Sequence, residues 1–368
     1  MDSSPRFARF APLALSLLVA SLFAACAAGS SGSISAEATA PTPPASASAS
    51  AGSSAAPSGS AEMTKLSVGL GYIPSVQFAP FYLAQQAGYY RDAGLDVTFE
   101  NKIDPELITL VGQGAVDVAI ADGTSLIPAV SQGITVKYVA TIYAKFPNIV
   151  FAKPTAGIRT AADLKGKKIG TPGQYGSGWI MLQALLGSAG LTTSAIKVTT
   201  YPTYGQLAGV EQGQVDAATG FANNEPIQLK KATGVDPVVL HVDDIVPLPG
   251  NGLITGTKTL ETKRDAVALF ISATLRAMDE IIADPQKGLD AAIVAVPELA
   301  SDRDTQLAVL QATIDGWQNS LTEAEGLGAI DKAGWTTSID FLSKLPGGLV
   351  PNPVTADQIV DDSLLPVR

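Results

Sequence analysis

Four short segments of this 368-residue chain gather aromatic, polar and small residues at spacings that suit a small-molecule site. In the first, Gly71-Tyr72-Ile73-Pro74-Ser75-Val76-Gln77-Phe78, the rings of Tyr72 and Phe78 offer stacking faces and the Gln77 amide both donates and accepts. The second, Ala121-Asp122-Gly123-Thr124-Ser125, reads equally as a helix cap and as a pair of polar handles, Asp122 and Thr124, for a ligand. The third runs Thr171-Pro172-Gly173-Gln174-Tyr175-Gly176-Ser177-Gly178-Trp179. Here Gly176 and Ser177 leave backbone N–H groups open at a helix start, and Tyr175 and Trp179 flank them. The fourth, Gly220-Phe221-Ala222-Asn223-Asn224-Glu225-Pro226, sets three consecutive polar side chains between an apolar run and a proline. Such groups are costly to bury without partners, so Asn223 and Glu225 are candidate contacts, with a simple hinge turn as the plainer alternative. Tyr143, beside Phe146, adds stacking surface near a connection between lobes.

These segments contain Asp122 and Glu225 but no Lys or Arg. Sites for sulfonate, nitrate or phosphate more commonly recruit a cation, although a helix N-terminus alone can hold an anion. The bias is towards a neutral or donor-rich aromatic ligand.

Catalysis is poorly provided for. With one histidine, His241, and one cysteine, Cys26, a Cys/His dyad or a zinc site rich in those ligands cannot be assembled. There is no Gly-x-Ser-x-Gly elbow, Walker loop or dinucleotide fingerprint. The doublets Asp243-Asp244 and Asp361-Asp362 are sequence neighbours whose side chains diverge, and they read as solvated loops. No catalytic residue, metal or cofactor is expected.

The frame that must hold these segments is an alternation. Strand-like apolar runs at 66–72, 95–100, 116–121, 136–142, 168–171, 196–201 and 215–221 are separated by helical patterns, which is the signature of parallel α/β sheets. Val111-Gly112-Gln113-Gly114-Ala115-Val116-Asp117 is echoed 99 residues later by Val210-Glu211-Gln212-Gly213-Gln214-Val215-Asp216. That interval is too long for a solenoid and implies two similar α/β lobes with a cleft between them. From about 262 onward the pattern is helical, with amphipathic runs at 264–283, 289–295, 302–318 and 336–342 that wrap the first lobe.

The N-terminal region has the build of an export signal. Arg6 and Arg9 precede an uncharged run of 13 residues at 11–23, shorter than the roughly 20 that span a bilayer as a helix. Leu22-Phe23-Ala24-Ala25-Cys26 resembles a lipobox, with Phe23 where leucine usually stands, so Cys26 is the expected lipidation site; ordinary cleavage near Ala25 is the alternative. Residues 27–62 are dominated by Ala, Ser, Gly, Pro and Thr and read as a tether. The expected division is a signal peptide at 1–25, the lipidated cysteine and tether at 26–63, lobe 1 at 64–152, lobe 2 at 153–250, and a return to lobe 1 with C-terminal helices at 251–368. A net charge of -10 and a pI near 4.6 argue against nucleic acid as a partner.

VGLGYIPSVQFAPFY at 68–82, GYYRDAGL at 88–95, DLKGKKIG at 163–170 and GQVD at 213–216 together resemble the sulfonate/thiamine-pyrimidine-precursor (SsuA/THI5-like) superfamily of ABC-transporter solute-binding proteins. QFAPF at 77–81 with NNEP at 223–226 is most similar to the branch that binds riboflavin or formylaminopyrimidine. The resemblance covers about 65–285. It implies a type II periplasmic-binding fold, α/β, with two lobes of mainly parallel sheets and a hinged cleft between them. It further implies a monomer on the extracytoplasmic face of the membrane, lipid-anchored or periplasmic, that delivers its ligand to an ABC permease with its ATPase. Related fungal proteins make the thiamine pyrimidine using a histidine and a cysteine-rich segment; this chain has no cysteine-rich segment, and its one histidine, His241, lies in a strand-like run. A binder of sulfonate or nitrate, a pyrimidine-synthase-like enzyme, and an adhesin or sensor on the same scaffold stand as alternatives.

Overall fold

A computed structural model describes residues 62–367 apart from 103, 244 and 346. The readings of the signal peptide, of Cys26 and of most of the tether lie outside the described residues.

The chain opens with β1 (Thr64–Leu70), α1 (Ala79–Gln86), α2 (Tyr89–Asp92), β2 (Leu95–Asn101), α3 (Asp104–Gln113), β3 (Val118–Asp122), α4 (Gly123–Ser131) and β4 (Val136–Thr141). It continues with β5 (Asn148–Ala152), β6 (Lys168–Thr171), α5 (Gly176–Ser188), β7 (Lys197–Thr200), α6 (Gln206–Glu211), β8 (Ala217–Phe221), α7 (Glu225–Thr233) and β9 (Val238–His241). Then come β10 (Asn251–Gly256), α8 (Thr257–Ala283), α9 (Pro285–Ala295), α10 (Arg303–Trp317), α11 (Ser320–Glu325), α12 (Lys332–Leu342) and α13 (Ala356–Ile359).

The strands form two five-stranded sheets of the same design, β2-β1-β3-β10-β4 and β7-β6-β8-β5-β9. In each, four strands share one direction and the fourth in order opposes them: β10 pairs antiparallel with β3 and β4, and β5 with β8 and β9. The two opposing strands are those that follow the crossings between lobes. The first lobe was expected to run to 152, but β5 already pairs within the second sheet, so the chain changes lobe before Asn148.

The 99-residue echo marks the same device in both lobes. Gly114 (φ 77°) and Gly213 (φ 71°) end a helix in the left-handed conformation that glycine takes without steric cost. The aspartate three residues on then clips the next strand to its neighbour. Asp117 Oδ2 accepts from the Ser67 backbone N–H at 2.9 Å, and Asp216 Oδ2 from that of Lys168 at 2.7 Å. Helix α1 ends at Gln86, because Gly88 (φ 81°) turns the chain left-handed before the single turn of α2.

Apolar burial accounts for how the helices sit. Helices α8, α9 and α10 pack with α1 over the first lobe, where Phe270 lies between Tyr90, stacked at 5.0 Å, and Phe81 at 6.3 Å. Each such fully buried side chain is worth about 1.5–3 kcal/mol. Trp335 of α12 sets its ring edge against Tyr138 of β4 at 4.9 Å, again on the first lobe. The C-terminal helices also reach the second lobe: α10 touches α7, and Lys231 pairs with Asp302 just before α10.

Candidate functional site

A cavity of about 120 Å³ lies between the lobes. Parallel strands of both sheets point their carboxyl ends at it, the place where open α/β sheets bind ligands. Because β5 and β10 run the other way, it is their first residues, Asn148 and Asn251, that reach it. Ten of the twelve residues singled out in the sequence line the cavity: Tyr72, Gln77, Phe78, Asp122, Tyr143, Tyr175, Gly176, Ser177, Trp179 and Glu225.

Thr124 and Asn223 do not. Thr124 is fully buried, and its hydroxyl donates to the Pro249 carbonyl at 3.0 Å, tying α4 to the segment that returns to lobe 1. The Asn223 amide donates to Thr313 Oγ1 at 2.7 Å and to the Tyr143 hydroxyl at 3.3 Å. Tyr143 in turn donates to Gln77 Oε1 at 3.2 Å. Asn223 thus joins the second lobe to the first behind the cavity wall.

Asp122 occupies the N-cap position of α4 but does not cap it. Its carboxylate accepts from the Ser177 hydroxyl at the start of α5, and Ser177 accepts from Asn148 Nδ2 at 2.9 Å. This chain spans the cleft. Burial pushes the Asp122 carboxyl up to about 6, with hydrogen bonds from Ser177 and Asn251 opposing the shift.

Glu225, 7% exposed, is the second buried carboxylate. Its Oε2 accepts from the Phe221 backbone N–H at 2.6 Å and its Oε1 from Asn224 Nδ2 at 3.2 Å. Burial raises its pKa, and those hydrogen bonds oppose the rise. Gly220 makes room for it, since a Cβ there would fall 2.8 Å from Glu225 Cγ.

Tyr72 meets Tyr204 edge-on across the cleft at 4.8 Å between ring centres. Burial, followed by the nearby Glu225 charge, raises the Tyr72 phenol and keeps it protonated. Tyr204 has φ 58°, alone among the described non-glycine residues in being positive, a conformation that costs an L-residue about 1–3 kcal/mol. Tyr175, 45% exposed, stands at the mouth.

Sequence reasoning missed Asn148, Tyr204, Gln206, Thr219 and Asn251, all of which line the cavity. An aromatic in the Pro-Thr-Tyr-Gly loop was a usable signal for Tyr204. For Gln206 and Thr219, a polar residue early in a helix and one inside a small-residue strand, there was none. None of the lining residues is Lys, Arg, His or Cys. His241 lies on β9, with Nδ1 3.8 Å from Asp243, and is not part of the lining. Asp361 pairs with Arg264 and Asp362 with Lys332, so this doublet faces two different cations. Among the described residues no cluster of His, Cys, Asp and Glu could hold a metal, and no helix is long and apolar enough to cross a membrane.

The model of the NMT1/THI5-like family matches residues 75–288, more than half of the chain and most of the cleft. The chain belongs to this family. Among its relatives, the riboflavin-binding protein RibY of Chloroflexus aurantiacus is 33% identical over 318 residues, covering 85% of this chain and 90% of RibY. A 4-amino-5-hydroxymethyl-2-methylpyrimidine phosphate synthase of Saccharomyces cerevisiae is 25% identical over 258 residues, covering 65% of this chain and 73% of the synthase. Of the solved structures, the aliphatic sulphonate-binding protein SsuA of Escherichia coli aligns with a TM-score of 0.58 at 18% identity, covering 81% of this chain and 92% of that one. A protein of Bordetella bronchiseptica aligns at 0.66 with 20% identity, covering 82% and 96%. At these identities the structural likeness establishes the fold of the NMT1/THI5-like chain, a periplasmic-binding-protein architecture of two mixed α/β lobes.

Proposed function

We propose that this protein is the extracytoplasmic substrate-binding component of an ABC importer, anchored through Cys26, and that it captures a small donor-rich heterocycle by closing its lobes. The observation that carries the reading is the cavity itself: aromatic faces at Tyr72, Phe78, Tyr175 and Trp179, two buried carboxylates, and no cation in the lining. A ring carrying N–H or O–H groups satisfies Asp122 and Glu225 where an anion would confront them. Similarity to RibY supports a flavin or a related heterocycle such as the thiamine pyrimidine precursor. At about 120 Å³ the cavity is smaller than the roughly 300–1,000 Å³ of most ligand pockets, so a three-ring flavin is held with the lobes further apart than they stand here. An ABC permease with its ATPase is the partner such a protein serves.

A second reading, pyrimidine synthesis, draws on the resemblance to the yeast enzyme. The lining argues against it, since neither histidine nor cysteine is present there to serve as base or nucleophile.

Calorimetric titration with riboflavin, formylaminopyrimidine and taurine tests the proposal. Saturable binding of riboflavin or the pyrimidine is expected, with Glu225→Gln weakening it by about tenfold, the cost of an orphaned buried partner. Saturable binding of taurine alone contradicts the heterocycle assignment.

A further inference from the structure

The carboxylates leave one stretch of the cleft unexplained, the wall that the second lobe builds from the end of β8 and the start of α6. We propose that Gln206 and Thr219, opened to the cavity by Gly178, form a hydroxyl-binding subsite that selects ligands bearing an aliphatic hydroxyl beside the ring. The inference rests on the reading of the cleft as a ligand site and deepens it by assigning the ligand's second functional group.

Gln206 is 3% and Thr219 2% exposed, and both line the cavity. The Gln206 amide donates through Nε2 to the Thr219 carbonyl at 3.3 Å, which fixes the orientation of the amide. That orientation leaves Gln206 Oε1 with no hydrogen-bond partner among the described residues, and Thr219 Oγ1 has none there either. Buried polar atoms are nearly always paired, so two unpaired ones on one cavity wall point to a partner that arrives from the cavity.

The pair also states the chemistry of that partner. Gln206 Oε1 accepts only, whereas the Thr219 hydroxyl both donates and accepts. A ligand hydroxyl, or two neighbouring ones, donates to the first and accepts from the second. A carbonyl or carboxylate sets lone pairs against Oε1, and a ring N–H leaves the Thr219 proton unanswered. The space is real: a Cβ built on Gly178 lies 3.7 Å from Thr219 Oγ1 and 3.4 Å from Asn148 Oδ1, ordinary contacts at a residue with no left-handed strain. Gly178→Ala therefore fills the subsite without disturbing the backbone.

The test uses matched ligand pairs on the purified protein: riboflavin against lumiflavin, which replaces the hydroxylated chain with a methyl, and 4-amino-5-hydroxymethyl-2-methylpyrimidine against its 5-methyl analogue. Wild type is expected to favour the hydroxylated member of whichever pair it binds by about tenfold or more. Thr219→Val and Gly178→Ala, each checked for an unchanged fold by thermal unfolding, are expected to collapse that ratio towards one. A wild-type ratio near one, or a ratio that survives both substitutions, overturns the subsite while leaving the heterocycle reading intact. Failure of wild type to bind either pair overturns that reading and the subsite with it.

Discussion

Asp122 is the side chain on which opposing effects meet most directly. Its carboxylate is buried and spans the lobes through Ser177, yet no cation lies within the cavity lining to offset the desolvation. The folded protein therefore holds it near 6, above the roughly 3.9 of an unfolded aspartate. The sign follows from linkage. The folded state binds the proton more tightly, so this group stabilises the fold at low pH and the contribution is lost as pH rises through about 6. Asp122→Asn keeps an acceptor for Ser177 and removes the charge. Its melting temperature relative to wild type is expected to climb between about pH 4 and about pH 6 and then level off, by an amount equivalent to about 3 kcal/mol at most. A difference that is constant across that range contradicts the account. Much of the site was legible at this scale, because aromatic and polar residues clustered just after apolar runs. Thr124 and Asn223 fall outside the lining for a physical reason: sequence proximity to a strand end does not say which side of the turn a side chain leaves from, and Thr124 turns to Pro249 while Asn223 turns to Tyr143 and Thr313.

Most strands of the two sheets were legible as apolar runs set between helical patterns. β5 escaped because it is a short apolar run that no α-helix follows before β6, and β10 because it runs straight into α8 with no turn between them; each enters its sheet antiparallel. Those two strands are also what bring Asn148 and Asn251 to the cleft, so missing the elements meant missing the residues. The duplicated helix-glycine-aspartate unit, by contrast, was visible as a repeat and proves to be a strand clip in both lobes. Gly213 has open space where a Cβ would lie, so the cost of Gly213→Ala is conformational alone. Chemical denaturation is expected to show a loss of about 1–2 kcal/mol, the penalty for an L-residue in the left-handed region. A neutral or stabilising effect means that the turn does not need its left-handed residue.

At the scale of the whole molecule, the structure joins its lobes through the Asp122–Ser177 and Asn223–Tyr143 hydrogen bonds and the Tyr72–Tyr204 ring contact. A ligand that enters between these groups shifts the balance towards the closed arrangement only by as much as it prefers that arrangement. The most direct test is the distance between spin labels on the two lobes, at Thr98→Cys on β2 and Lys197→Cys on β7, in a Cys26→Ser background that removes the natural thiol. Saturating riboflavin or aminopyrimidine is predicted to collapse a broad distribution into one shorter, narrow distance, while taurine leaves it broad. A distribution unmoved by either heterocycle, or narrowed by taurine alone, contradicts capture of a donor-rich ring by lobe closure.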